Sequence, residues 1–167
     1  MMKKIVLALT LVSQLAFAED RKYPVSEIPE EMKKGMYAVI REQEIRFEIV
    51  SASKSIYYKH FVITILNERA NDQAAEVVSY DKDTKVSTFK GTVYDAVGNV
   101  IKKLKQSEIY DRSAFSGFSL YEDNRMKSAD LSQSVYPYTV EFEIETQMSF
   151  LYSIPEFYLY HDDEISI

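Results

Sequence analysis

The sequence predicts a mostly β fold, an antiparallel β-sandwich with one short N-terminal helix. Residues 37–50 and 136–146 alternate apolar and polar side chains with the period of two that indicates a half-buried strand. Residues 56–67 carry apolar side chains on both faces, which is typical of a central strand covered on both sides. The chain also contains 13 Tyr and 9 Phe, and aromatic residues are enriched in strands.

The first predicted elements are a helix and a hairpin. The helix spans residues 26–35, because Pro29 suits a first turn and Gly35 suits a helix end. Glutamates near its start and lysines near its end complement the helix dipole. The strands at residues 37–50 and 56–67 are separated by a short polar turn, so we predict that they pair as a hairpin.

The middle of the chain is predicted to form shorter strands. Residues 67–72 are predicted as a polar turn, followed by a strand at residues 74–80. Strands at residues 85–94 and 100–104 are joined by a turn in which Gly98 can adopt a positive φ. A single helical turn is predicted at residues 107–110.

The later part of the chain contains a long segment without a clear period. Residues 111–134 are rich in Ser, Asp and Asn, and we predict an irregular loop, the kind of segment that is often functional. The strand at residues 136–146 follows, with Pro137 tolerated only at its start. Short strands are predicted at residues 157–160 and 164–167.

The N-terminus predicts export. Lys3 and Lys4 precede an apolar run, and Ala16 and Ala18 place small residues at a signal peptidase site. We therefore expect a signal peptide at residues 1–18 and one domain at residues 19–167, located in the periplasm or outside the cell. The apolar run is too short to span a bilayer, so no membrane anchor is expected after cleavage.

Composition excludes several classes of function. The formal net charge is −6, and removal of two lysines with the signal peptide leaves 18 basic against 26 acidic residues, or about −8. An acidic domain is a poor candidate for binding nucleic acid. The chain has no Cys, which excludes a thiol nucleophile and thiolate metal ligands. No cofactor is expected.

The candidate catalytic and metal-binding residues each have a simpler interpretation. His60 lies within a strand among apolar neighbours, which favours a packed or cross-strand histidine over a catalytic base. His161 precedes three acidic residues, but consecutive side chains point apart, so no metal site is predicted. Glu141, Glu143 and Glu145 share one strand face. They are interpreted as the solvated face of an edge or outer strand, although a glycosidase pair is the alternative.

A set of tyrosines is the remaining candidate for recognition. They could form a platform for stacking sugars, but most occupy core-facing positions, so packing is the preferred interpretation. The set comprises Tyr57, Tyr58, Tyr136, Tyr138, Tyr152, Tyr158 and Tyr160.

Three segments in order resemble a known family. They are residues 28–41, with Ile-Pro-Glu-Glu-Met-Lys-Lys; residues 91–111, with Gly-Thr-Val-Tyr-Asp-Ala-Val-Gly-Asn; and residues 119–143, with Ser-Leu-Tyr-Glu-Asp-Asn-Arg before the last long strand. This set resembles the domain of unknown function, DUF3857-type, that precedes transglutaminase-like domains in exported bacterial proteins.

The resemblance implies a sandwich-like domain with no activity of its own. In such proteins a catalytic domain with a Cys-His-Asp triad usually follows. The resemblance implies that this chain is incomplete at its C-terminus, and no triad residue can be transferred to it.

The function expected from the resemblance is an exported, non-catalytic accessory domain. It would bind or position something for a transglutaminase-like domain, and its partner would be that domain, a protein or a glycan. The alternative is a self-sufficient domain that binds or cleaves glycans. The resemblance also places an acidic-x-Arg element at Asp123 and Arg125, which we expect to form a recognition loop more important than His60 or His161. The competing interpretation is that the two residues only fix the loop.

Overall fold

The computed structural model describes residues 21–114, 123–149 and 164–167. These residues form two β-sheets with short helices, which confirms the mostly β prediction. The predicted signal peptide, the strand predicted at residues 157–160, and His161 lie outside the described residues. None of the helices in the described part of the chain combines the length and apolar character that a membrane crossing needs.

In the described part of the chain, the larger sheet has six strands in the order β5-β4-β8-β2-β1-β9. Its strands are β1 (Ala38–Ser51), β2 (Lys54–Ile65), β4 (Thr84–Tyr94), β5 (Val100–Lys103), β8 (Tyr138–Met148) and β9 (Ile165–Ser166). The predicted hairpin of β1 and β2 is confirmed, as is the central position of β2. The sheet is not purely antiparallel, because β9 pairs in parallel with β1.

The smaller sheet has three strands among the described residues, in the order β3-β7-β6. They are β3 (Ala75–Tyr80), β6 (Tyr110–Ser113) and β7 (Arg125–Asp130). The prediction that residues 111–134 form one irregular loop is therefore wrong at both ends. These strands are short and lack an apolar period of their own, so pairing stabilises them, with β7 bonded to β3 and β6 bonded to β7.

The N-terminal helix is shorter than predicted and is divided in two. A 3-10 turn at Val25–Glu27 is followed by α1 (Glu30–Lys33). Ile28 between them has extended backbone, because the residue before a proline disfavours helical conformation. The predicted polar turn after β2 is a 3-10 helix at Glu68–Ala74, and the single turn after β5 is one at Gln106–Glu108.

The core lies on one face of the larger sheet, here called the core face. Alternate residues of β2, β4 and β8 point into it and pack against the Glu68–Ala74 helix and Leu131. The smaller sheet approaches the same face, where Lys59 pairs with Glu76 at 2.8 Å. The most deeply buried members of the core include Ile63, Ile65, Val93, Leu131, Tyr138, Val140 and Phe142.

The opposite, outer face of the larger sheet is partly covered by residues 21–28, which we call the N-terminal strap. The Lys22 backbone N–H donates to the Gly98 carbonyl at 3.0 Å, and that of Val25 donates to Ala96 at 2.9 Å. A β-bulge between Ile40 and Glu42 contains Arg41, whose guanidinium donates to the strap carbonyls of Tyr23 and Pro24. The strap is thus held by the β4–β5 turn and by β1.

Gly98→Ala is expected to release the strap. Gly98 has φ +91°, and an added Cβ would lie 2.7 Å from the Lys22 carbonyl oxygen. We expect a loss of about 2 kcal/mol in the free energy of unfolding, together with faster hydrogen exchange at the Lys22 and Val25 amides. Chemical denaturation and exchange mass spectrometry measure the two effects.

Gly35→Ala is the matched control. Gly35 also has a positive φ, of +79°, but nothing lies within 4 Å of its added Cβ. Gly35→Ala therefore strains the backbone without a steric clash between the added Cβ and a neighbouring atom. Equal losses of stability in the two variants, or unchanged exchange in the strap of Gly98→Ala, would contradict the account.

Candidate functional site

The best-formed polar cluster lies on the outer face, beneath the strap, and centres on Glu141. Glu141 lies on β8, whose alternating sequence directs its side chain away from the core. Because β8 lies between β2 and β4, the prediction that its acidic face belongs to an edge or outer strand is wrong. β8 lies at the centre of the sheet because it pairs with strands that are distant in the sequence. The alternation of apolar and polar residues within β8 does not indicate that position.

Glu141 accepts hydrogen bonds from two neighbouring strands. The Tyr94 hydroxyl on β4 donates to Oε2 at 2.5 Å, and His60 Nε2 on β2 lies 3.0 Å from Oε1. Both neighbours are well covered, since Tyr94 is 3% exposed and the His60 side chain is 14% exposed. The carboxylate therefore bridges three strands and satisfies polar groups that burial would otherwise penalise.

Two further residues complete this cluster, which we call the Glu141 cluster. Glu42 Oε1 on β1 lies 3.6 Å from His60 Nδ1, so the imidazole is flanked by two carboxylates. The Tyr23 hydroxyl lies 3.4 Å from both Glu42 and Glu141, and its single proton can serve only one of them. Tyr23 has an uncommon positive φ of 56°, which places its ring edge-on to Tyr94.

The electrostatics of the cluster keep Glu141 ionised. Burial by itself would raise its pKa, but hydrogen bonds from Tyr94 and His60 and the nearby charge of Lys22 outweigh this, and the pKa is lowered. Burial and the adjacent carboxylates raise the pKa values of Tyr23 and Tyr94, so both hydroxyls stay protonated and able to donate.

The lowered pKa of Glu141 predicts a stability that depends on pH. A carboxyl whose folded pKa is below its unfolded value contributes stability above the unfolded pKa and loses it as pH falls through the folded pKa. We expect the difference in unfolding free energy between the native chain and Glu141→Gln to be constant above about pH 5 and to shrink below about pH 4. Urea titrations from pH 7 to pH 3 measure it. A difference that widens as the pH falls would contradict the lowered pKa.

A cavity of about 310 Å³ adjoins the cluster on its β4 and β5 side. It is lined by side chains from the strap and from strands β4, β5 and β8. The lining residues are Lys22, Lys90, Gly91, Thr92, Tyr94, Val100, Lys103, Glu141 and Glu143. Within the described ranges, no group of three or more His, Asp or Glu residues could hold a metal ion. The lining is charged, with three lysines and two glutamates.

The predicted recognition residues lie elsewhere. Asp123 is exposed and precedes β7, whereas Arg125 is the first residue of β7 and not part of a loop as predicted. Its guanidinium binds Asp111 at 2.8 Å and the Tyr80 hydroxyl at 2.8 Å, connecting the three strands of the smaller sheet. An ion pair that fixes the local structure is the arrangement that the competing interpretation predicts. The greater importance of Asp123 and Arg125 for function stays a prediction.

The described tyrosines do not form one platform. Tyr57 and Tyr58 are consecutive in β2 and therefore point to opposite faces. Tyr138 is 1% exposed, packs on Tyr136 and donates to Asn71. Glu143 pairs with Lys90 and lines the same cavity as Glu141, whereas Glu145 accepts from Ser87. The glycosidase pair stays an alternative prediction. Tyr152, Tyr158 and Tyr160 lie outside the described residues.

Most of this site could not be predicted from the sequence. Glu42, Tyr94 and Lys103 lie on strands that pairing brings together, and Tyr23 is placed by the strap. One available signal was His60 itself. A polar residue on a strand that is apolar on both faces requires a partner, and the alternating glutamates of the strands at residues 37–50 and 136–146 were the candidates.

A family model for a domain of unknown function with solved structures, DUF3857, matches residues 51–158 of the chain. The chain belongs to this family. The DUF3857 match runs from the end of β1 through β8 and so includes His60, Tyr94 and Glu141. No curated protein matches the chain.

One solved structure shares the fold. It is a chain described as a "putative protease" from Parabacteroides distasonis ATCC 8503, with a TM-score of 0.62 and 8% sequence identity. The match covers 70% of the DUF3857 chain described here and 24% of the solved chain. This chain therefore spans about a quarter of the length of that protein.

Proposed function

We propose that this chain is an exported, non-catalytic accessory domain that binds or positions a substrate or partner for a transglutaminase-like catalytic domain. The observation that carries the proposal is that this fold forms about a quarter of a longer chain described as a protease. A module of that size attached to a catalytic protein is well suited to recognition. The signal peptide predicted at residues 1–18 supports export, to the periplasm or outside the cell.

The composition and geometry of the outer face support a role without catalysis. The chain has no Cys, so the thiolate chemistry of a transglutaminase is absent from it. His60 is held between Glu42 and Glu141, and among the described residues its contacts are with these carboxylates rather than with a hydroxyl nucleophile. Such a histidine stabilises the sheet rather than activating an attacking group.

The experiment combines the purified chain with a transglutaminase-like protein from the same bacterium. We expect a complex by size-exclusion chromatography and a lower KM for a peptide substrate, with kcat unchanged, because the chain binds without reacting. N-terminal sequencing of the exported chain should begin at Glu19. Absence of a complex together with an unchanged KM would refute the accessory role, and intact Met1 on cytoplasmic protein would refute export.

A further inference from the structure

We propose that the cavity beside Glu141 is a binding site for a singly charged carboxylate presented by a peptide. Thr92 and Glu141 are directly paired across β4 and β8, and Lys103 on β5 is paired with Thr92. The three side chains therefore form one row across the outer face. Lys22 from the strap and Lys90 from β4 complete a cationic rim around the row. This inference rests on the proposed binding role.

The lining of the cavity carries more positive than negative charge, because three lysines face two glutamates. Lys90 is paired with Glu143 at 3.3 Å. Neither Lys22 nor Lys103 has a carboxylate within ion-pair distance among the described residues, and Lys22 contributes to the field that lowers the pKa of Glu141. Lys103 can therefore bind an anion without first losing an ion-pair partner.

The same glutamates determine which anion fits. A ligand with several negative charges would meet Glu141 and Glu143 at close range, and like charges in a partly buried site repel each other strongly. A single carboxylate can bind the Lys103 ammonium without displacing Glu141 or Glu143. The cavity of about 310 Å³ is at the lower end of the usual range for ligand sites, and the exposed apolar side chain of Val100 suits the body of a short peptide.

The site is also pre-organised. Glu141 is fixed by Tyr94 and His60, and the strap that carries Lys22 is fixed to Gly98 by a backbone hydrogen bond. A site whose side chains are already ordered loses less conformational entropy on binding. The cavity therefore needs no rearrangement of the sheet to accept its ligand.

Calorimetric titration of the full chain with acetyl-Ala-Ala, its C-terminal amide, and inorganic phosphate tests the inference. We expect the acid to bind at least about tenfold more tightly than the amide, because only the acid forms a charge-assisted hydrogen bond with Lys103. Phosphate should bind more weakly than the acid. Lys103→Gln should weaken acid binding by about tenfold, whereas Lys82→Gln, the same change in the exposed turn between β3 and β4, should leave it unchanged.

Each contrary result overturns the inference. Equal affinity for acid and amide would show that the carboxylate is not recognised, and tighter binding of phosphate would indicate a general anion site. Equal losses in Lys103→Gln and Lys82→Gln would show a non-specific charge effect. If no probe binds while the complex with the transglutaminase-like protein forms, this inference fails and the proposed function stands. If the acid binds but no complex forms, the proposed function fails and the carboxylate site stands.

Discussion

Phe142→Ala is expected to lower the free energy of unfolding by about 3–5 kcal/mol, the largest effect of any single substitution considered. Phe142 is fully buried on the core face at the centre of β8. Its ring lies 6.3 Å from that of Phe89 and packs beside the Gly91 backbone, where an added Cβ would be 3.1 Å from it. Truncation would leave a cavity that neither neighbour can fill by a small movement.

Urea denaturation of Phe142→Ala and of Val97→Ala measures this effect. Val97 is 50% exposed in the turn between β4 and β5, so its truncation should change stability by no more than about 0.5 kcal/mol. A loss below about 1 kcal/mol in Phe142→Ala would show that the core face is not closely packed, contrary to the fold described above.

Glu141→Ala is expected to cost about 3 kcal/mol, the second largest effect. The substitution leaves the Tyr94 hydroxyl and the His60 ring without their acceptor, and each buried group without a partner costs about 1–3 kcal/mol. Glu141→Gln keeps a carbonyl oxygen as an acceptor, so we expect a smaller loss. The difference in unfolding free energy between Glu141→Ala and Glu141→Gln measures the contribution of the acceptor oxygen and the rest of the side chain that Glu141→Gln retains.

Glu145→Ala is the control for this prediction. Glu145 lies on the same strand and the same face, four residues further along, and its partner is the exposed Ser87. Its replacement should change stability by about 0.5 kcal/mol or less. Equal losses for Glu141→Ala and Glu145→Ala would show that the Glu141 cluster contributes nothing beyond an ordinary surface position.

The sequence predicts best the strands whose own pattern of apolar and polar side chains indicates which face is buried. β1, β2 and β8 were located to within two residues at each end, because each contains a long alternation or an apolar run. The turn at residues 95–99 was also located correctly, because Gly98 has the positive φ that this turn requires.

The elements that were missed depend on partners distant in the sequence. β6 and β7 are short and polar, and their strand conformation comes from pairing with β3 and with each other. The parallel pairing of β9 with β1 has no local signature either. The same reason explains the site. Glu141 was recognised as part of an acidic strand face, but its role at the centre of a polar cluster depends on the strand order.

The placement of Arg125 shows how composition misled the prediction. Ser, Asp and Asn around it favoured a loop. Instead the first residue of β7 binds Asp111 and Tyr80, and the pKa of Asp111 is lowered chiefly by the Tyr80 hydroxyl and also by this guanidinium. A short polar strand in a small sheet is stabilised by contacts between side chains on neighbouring strands rather than by burial.

We propose that the outer face around Glu141 binds without catalysing a reaction. The most direct test of this proposal is product formation by the purified chain on a panel of peptides, esters and bacterial cell-wall glycans, measured by mass spectrometry. We expect no product above the level of the buffer, from the native chain and from His60→Ala alike. Cleavage of any of these substrates by the native chain that disappears in His60→Ala and Glu141→Gln would contradict the account.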